Sequence, residues 1–283
     1  MYVSNSISDI QSVINKHKDA GKTIGFVPTM GALHDGHLSL IKNAQMLCDI
    51  VIASIYINPT QFNNSDDLSA YPKTLAADIE KLSTHHCDLL FTPSDAVMYP
   101  EKNHLTIHFG VLEEVMEGAY RPGHFSGVGQ IVTKLFNIIQ PHKAFFGQKD
   151  FQQLSLIKRL VKEFCIPLEI IAIPIEREEN GLAMSSRNEM LHPDERKEAK
   201  IFYDTLSYMK QKIVESPHRS FEEIKELATS YFSRSQATLE YFDLVSDTDL
   251  KTKNDNYLQA DSVMCIAGHI GNVRLIDNMY LIS

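Results

Sequence analysis

Through the first 175 residues or so, short aliphatic runs alternate with segments of helical period, and this alternation restricts the fold more than any other feature of the chain. The runs lie at residues 23–28, 50–57, 88–91, 143–146 and 168–173. Several are almost continuously apolar, as parallel strands covered on both faces are. Between them lie helical candidates at residues 36–47, 74–82, 128–139 and 151–164. In the first of these, Leu38, Ile41, Ala44 and Leu47 recur at the spacing of one helix face. Strand and helix in strict alternation predict βαβ units, hence an α/β, doubly wound, Rossmann-like parallel sheet.

The texture changes after Pro174. A polar turn at residues 176–181 leads into Met184-Ser185-Ser186-Arg187-Asn188. Two charged helical stretches follow, at residues 194–214 and 221–231, and then three strand candidates at 239–245, 262–267 and 273–276. That order predicts a smaller C-terminal α+β domain. The expected division is residues 1–175, a nucleotide- and substrate-binding domain, and residues 176–283, a small domain closing over the active site.

Bulk properties exclude several classes. A net charge of −9 argues against a general nucleic-acid binder, which needs a basic face, although a local basic pocket remains compatible with it. The cysteines Cys48, Cys87, Cys165 and Cys265 are far apart and form no C-x-x-C pair, so zinc and thioredoxin chemistry have no support, and scattered thiols fit a reducing cytoplasm. No apolar stretch approaches a membrane span, and MYVSNSISDIQSV has no basic region followed by an apolar run, so no secretory signal is expected.

Two segments carry chemistry. The first strand runs into Pro28-Thr29-Met30-Gly31-Ala32-Leu33-His34-Asp35-Gly36-His37, with a helix behind it. A turn from the first strand into a helix is where doubly wound folds hold phosphates, because the helix start offers N–H groups and partial positive charge. Gly31 and Gly36 let backbone and ligand approach. His34 and His37 share a face if the helix begins there, and two imidazoles can donate to phosphate oxygens as charge builds on them. An arbitrary H-x-x-H is more often a surface pair, and a zinc site would need a third ligand; the strand–turn–helix context favours phosphate. The second segment has two parts. Gly147-Gln148-Lys149-Asp150 again joins a strand end to a helix start: Lys149 can meet phosphate charge, and Asp150 can cap the helix or bind a ribose hydroxyl. Ser185, Ser186 and Arg187 offer hydroxyls and a forked donor suited to a polyphosphate, or else an ordinary turn.

H-x-G-H followed by M-S-S-R-N is similar to the two-part signature of class I aminoacyl-tRNA synthetases and their nucleotidylyltransferase relatives. More specifically, VPTMGALHDGH, INPTQF, YPKTLAADIEKL, EGAYRPGHFSGVGQIVTKLFNIIQP, FFGQKDFQQLSLIKRLV, GLAMSSRN and VRLIDN, in this order, resemble the pantoate–β-alanine ligase (pantothenate synthetase) family. The resemblance covers most of the chain. It implies ligation of (R)-pantoate to β-alanine through a pantoyl adenylate, with ATP consumed, Mg²⁺ as the cofactor that offsets phosphate charge, and pyrophosphate and AMP released. It also implies a cytoplasmic homodimer in pantothenate biosynthesis, with neither nucleic acid nor membrane as a partner.

Residue by residue, it implies that Met30, Gly31, Ala32, Leu33, His34, Asp35, Gly36 and His37 line the ATP site, with His37 the foremost acid. Gln61 and Gln153 are expected to hold pantoate, with Gln61 bordering the β-alanine site and Asn58 beside it. Amides suit that ligand, since they donate to and accept from hydroxyls and a carboxylate without like-charge repulsion. Gly147, Gln148, Lys149 and Asp150 are expected at the nucleoside and phosphates, with Lys149 on the phosphates. Gln148 stands where many family members carry Glu, so its side chain is not expected to be essential. Met184, Ser185, Ser186 and Arg187 are expected to cover the triphosphate. A main-chain contact to adenine is expected near Glu176. Asp78 either helps hold Mg²⁺ or sits on a solvated helix face. Two competing readings are a related nucleotidylyltransferase with another substrate, which would not need NPTQF or DFQQL, and a sensor on the same fold that has lost catalysis. The presence of His37, Lys149 and Arg187 speaks against the second. A tRNA ligase would need an anticodon module, for which the last hundred or so residues leave little room.

Overall fold

The structure, a computed structural model, describes residues 1–63, 65–254 and 257–282, with the backbone alone at residue 66. The chain divides into two compact units. The first comprises Met1–Gln148 and Leu156–Pro174; the second comprises Lys149–Ser155 and Ile175–Ser283. The division after Pro174 accompanies the change of sequence texture. That residues 149–155 go with the second unit has no counterpart in the hydrophobic pattern.

The first unit holds a parallel sheet of β1 (Tyr2–Ser4), β2 (Ile24–Thr29), β3 (Ile50–Ile55), β4 (Leu89–Phe91), β5 (Lys143–Gly147) and β6 (Glu169–Ile173), in the order β1-β4-β3-β2-β5-β6. Its register runs Ile24↔Ile50 to Thr29↔Ile55, and Gly25↔Lys143 on the other side of β2. The strand order reverses between β2 and β5. In open α/β sheets, ligands bind at the carboxyl ends of the strands flanking such a switch point. The two motifs expected to meet phosphate begin there: one follows β2, and the other starts at Gly147, the last residue of β5.

The unit's helices are α1 (Ile7–Asp19), α2 (Asp35–Leu47), α3 (Ser65–Ala70), α4 (Leu75–Thr84), α5 (Asp95–Met98), α6 (Met116–Tyr120), α7 (His124–Ile139) and the greater part of α8 (Phe151–Glu163). Helix α2 turns Leu40, Ile41 and Ala44 onto Val27, Val51, Ala53 and Phe145 of the sheet. Each leucine, isoleucine, valine or phenylalanine side chain so removed from water contributes about 1.5–3 kcal/mol. Sequence periodicity left β1 and α1 unassigned. The edge strand has only three residues and pairs with β4 alone in the sheet, while α1 is capped at Ser6, whose hydroxyl accepts from the Asp9 N–H at 3.4 Å.

The second unit packs α9 (Pro193–Glu198), α10 (Ile201–Glu215) and α11 (Phe221–Phe232) with an antiparallel sheet of β7 (Thr238–Ser246), β8 (Ser262–Ile270) and β9 (Val273–Tyr280). Its core includes Phe202, Leu206, Met209, Ile224, Phe232, Phe242, Met264 and Ile266. The stretch 194–214, expected as one helix, is two. At Ala199 and Lys200 the backbone tightens, and the Phe202 N–H donates to the Ala199 carbonyl at 3.3 Å. The tight turn leaves Ala199 and Phe202 both buried. Serine and glutamate cap α11 reciprocally: the Ser220 N–H donates to Glu223 at 2.8 Å, and the Glu223 N–H to the Ser220 hydroxyl at 3.2 Å. Among the described residues no helix is long and apolar enough to cross a membrane.

Candidate active site

The turn after β2 is built to hold one shape. Gly31 has φ +82° and Ala32 φ +50°, both in the left-handed region. A side chain on Gly31 would meet the Asp78 carboxylate at 3.0 Å and the Ile55 methyl at 3.1 Å, so glycine is required twice over. Ala32 has no such licence, and its conformation must be held from outside. Helix α4 does so. Asp78, only 1% exposed, accepts the Ala32 N–H at 2.9 Å on one oxygen and the Leu33 N–H at 2.8 Å on the other. The Thr74 hydroxyl adds a third bond at 3.1 Å. One turn further along, the Lys81 ammonium donates to the Leu33 carbonyl at 2.5 Å. Thr29 closes the other end: its oxygen accepts the Gly31 N–H at 3.2 Å, and its hydroxyl donates to the Ser54 carbonyl at 2.8 Å.

This geometry argues against both expectations for Asp78. The residue is buried rather than on a solvated face, and its oxygens are committed to backbone N–H groups rather than open to a metal. Among the described residues no group of three or more His, Cys, Asp or Glu is placed to hold a metal ion. The carboxylate and the lysine clasp the turn after β2 instead.

The clasped turn delivers two imidazoles. His34 precedes α2 in extended conformation, and His37 lies in its first turn, with ring centroids 4.1 Å apart. The His34 N–H donates to Nδ1 of His37 at 3.4 Å, which assigns the proton of a neutral His37 to Nε2. Asp35 and Gly36 have no carbonyl one turn back within α2 to accept their N–H groups, as at any helix start. Half-buried imidazoles, outward N–H groups and the positive end of a 13-residue helix make a donor set suited to phosphate.

Beside it lies a buried amide pair. Asn58 is 1% exposed and Gln61 7%. Asn58 accepts from the Tyr99 hydroxyl at 2.7 Å and the Thr60 hydroxyl at 3.0 Å, and donates to the Gly127 carbonyl at 3.2 Å and Gln61 Oε1 at 3.3 Å. Its amide is thus spent inside the protein, where it orients Gln61. Burial raises the pKa of Tyr99 and keeps its phenol a donor. Gln61 Nε2 donates to the Met30 sulfur at 2.8 Å, so this amide touches the turn that follows β2.

Helix α7 seats the NPTQF segment. A side chain at Gly127 would fall 2.3 Å from the Thr60 carbonyl oxygen, so the helix backbone lies directly on that turn. His124, buried, donates from Nδ1 to the Gln61 carbonyl at 2.7 Å, and its Nε2 faces the Arg121 guanidinium at 3.2 Å. Sequence reasoning matched RPGHFSGVGQIV to the family without giving it a task. Nothing local marks His124 as the support of a glutamine 63 positions earlier.

The first unit therefore brings together Met30, Gly31, Ala32, Leu33, His34, His37, Asn58, Gln61 and Asp78, and it also carries Gly147 and Gln148. Lys149, Asp150, Gln153, Glu176, Met184, Ser185, Ser186 and Arg187 belong to the second. There, Lys149 is largely covered and its ammonium lies 3.9 Å from the Asp150 carboxylate, while the Asp150 carbonyl accepts from Leu154 at the start of α8. The Ser185 hydroxyl caps its own turn, accepting from the Arg187 N–H at 3.3 Å. Glu176 is exposed, and its carbonyl pairs with the Met184 N–H at 2.9 Å.

A family model described as pantoate–β-alanine ligase matches residues 2–280 of this chain. A pantothenate synthetase from Bacteroides fragilis is 44% identical over 280 residues, covering 99% of this chain and 98% of the relative. One from Aquifex aeolicus is 42% identical over 272 residues, 96% of each. Among solved structures, the pantothenate synthetase of Thermus thermophilus superposes with a TM-score of 0.92 at 35% identity, covering 100% of both chains. The pantoate–β-alanine ligase of Francisella tularensis, crystallised with βγ ATP and β-alanine, gives 0.78 at 38% identity, covering 99% of this chain and 98% of its own.

Proposed function

The chain belongs to the pantoate–β-alanine ligase family, and from that membership we infer that it joins pantoate to β-alanine at the expense of ATP. A pantoate carboxylate oxygen attacks the α-phosphorus, the bond to the bridging oxygen breaks, and pyrophosphate leaves. The β-alanine amine then attacks the acyl carbon of the adenylate, gives up a proton, and displaces AMP.

The observation that carries this reading is the contact between Gln61 and Met30. An amide suited to a hydroxy acid lies against the turn that offers donors to phosphate. A carboxylate held by that amide would lie close to a phosphate held by the turn, the proximity that adenylation requires. His37, protonated on Nε2, is the donor we assign to the phosphate oxygens, with His34 beside it. Lys149, Ser186 and Arg187 are assigned to the triphosphate on their chemistry, with Met184 and Ser185 shaping the segment that carries them, and Gln153 to pantoate. The residues of the first unit do not fit a protein-held Mg²⁺ at Asp78, so the ion is assigned to the phosphate oxygens with which it arrives.

Mixing protein, MgATP and pantoate tests the reading. Pyrophosphate is expected to form without β-alanine, and AMP and pantothenate only after it is added. Pyrophosphate release indifferent to pantoate would overturn it.

A further inference from the structure

The motif VRLIDN near the end of the chain has no part in the chemistry above, yet its last two residues sit at the centre of a polar frame within the second unit. Asp277 is 3% exposed and is gripped by Arg177 through two parallel bonds, at 2.7 and 3.0 Å. The same guanidinium donates to the Gly181 carbonyl at 3.0 Å and lies over the Tyr203 ring, 4.6 Å from its centroid. The Asn278 side chain then reaches 129 positions back along the sequence and donates to the Lys149 carbonyl at 2.9 Å. Bidentate, stacked and buried, this arrangement has one geometry.

The hairpin that Arg177 belongs to carries the other phosphate segment. Arg177 bridges to Ala183 across it, and Met184 pairs with Glu176 at its mouth. From its next residue, Glu178, an ion pair runs to Arg196 at 2.8 Å, and the same carboxylate accepts from Asn188 at 2.8 Å. Asn188 closes the turn that contains Ser185, Ser186 and Arg187.

We propose that Asn278, locked by the Arg177–Asp277 pair, is a positioning residue for Lys149, and that this frame sets Lys149 and the 185–187 turn as one piece. It rests on the assignment of Lys149 to phosphate. The Asn278–Lys149 bond lies within the second unit, to which residues 149–155 belong although they are contiguous in sequence with β5. A lysine on a flexible stem meets a developing charge productively only if its backbone is placed to within a fraction of an ångström. Asn278 supplies that placement without touching substrate.

A double-mutant cycle tests it, reading single-turnover pyrophosphate release from MgATP and pantoate without β-alanine. Asn278→Ala is expected to slow adenylation about tenfold, and Lys149→Ala by more, roughly a hundredfold. The double variant should match Lys149→Ala within about twofold, because a residue acting through Lys149 has nothing to act on once the ammonium is gone. A residue that merely stabilised the fold would instead lower the thermal midpoint and multiply its loss with that of Lys149→Ala. Should Asn278→Ala not fold, Asn278→Asp keeps the shape but cannot donate to the carbonyl, and the same outcome is expected. Full-rate adenylation by the Asn278 variants, or losses that multiply, would overturn the proposal. Full-rate adenylation by Lys149→Ala would remove the phosphate assignment and the proposal with it.

Discussion

Replacing Asp78 by alanine separates two roles that a carboxylate in an ATP enzyme can play. In the structure it accepts the Ala32 and Leu33 N–H groups, and Leu33 is 2% exposed. Alanine leaves both donors without an acceptor. Each buried N–H so stranded costs about 1–3 kcal/mol. The left-handed conformation of Ala32, which stores strain of about 1–3 kcal/mol, would lose its restraint and relax, recovering part of that cost. A net loss of about 2–4 kcal/mol follows, and for domains of 150–250 residues each kcal/mol moves the thermal midpoint by roughly 2–4 °C. The expected fall is therefore roughly 5–15 °C, measured without ATP or metal. Asp78→Asn retains one acceptor oxygen but turns an NH₂ group toward a backbone N–H, so it should fall part of the way.

Activity distinguishes the roles. A clasp that fails lets the turn carrying His34 and His37 wander, and the adenylation rate drops whatever the metal concentration. A lost Mg²⁺ ligand would show as a raised Mg²⁺ requirement that excess ion restores. An Asp78→Asn protein with the wild-type midpoint, whose adenylation rate recovers in high Mg²⁺, would refute the clasp and return the residue to the metal.

His37→Ala should slow pyrophosphate release by roughly a hundredfold, the scale for loss of a positioned donor. It should move the thermal midpoint by only a degree or two, since the bond its ring accepts from the His34 N–H is long, at 3.4 Å; differential scanning beside single-turnover kinetics checks both. Gln61→Ala and Gln153→Ala should each raise the KM for pantoate about tenfold, a hydrogen bond's worth of about 1.4 kcal/mol, with ATP affinity measured by calorimetry unchanged. A fall in ATP affinity with no change in pantoate dependence would put them in the wrong pocket. Light scattering should return about twice the chain mass of 32.1 kDa, twofold dimers being the commonest soluble assembly; a monomeric mass would rule out the homodimer.

Much of the first unit's sheet was legible because its strands are buried on both faces. Apolar runs at 50–57 and 143–146 leave few alternatives, and the structure shows β3 and β5 there. Pattern failed where burial is partial or the element short. The edge strand β1 offers three residues, two of them exposed, and α1 buries only Ile10 and Ile14. The split of α9 from α10 was illegible for another reason. No proline or glycine marks it, and the turn forms because tertiary packing covers Ala199 completely.

The site divides along the same physical line. The residues proposed to meet phosphate after β2 cluster in sequence, because a strand end and helix start supply glycine turn, N–H groups and side chains within one loop; His34 and His37 can be read from ten contiguous letters. Residues that hold that loop still come from elsewhere in the chain. Asp78 is 46 positions from Ala32 and Arg177 is 100 from Asp277. Such contacts are chosen by the three-dimensional arrangement of sheet and helices, and local spacing carries no trace of them. Asp78 shows the consequence. Seen as a letter after Tyr71-Pro72, a carboxylate near phosphates suggests a metal. Seen with its partners, it is the acceptor for two backbone amides, one of them on the left-handed Ala32, and its negative charge is already matched by donors before any ion arrives. A carboxylate whose oxygens are taken up by backbone N–H groups holds the shape of a loop, and the accounting of its hydrogen bonds is what distinguishes that case from metal ligation.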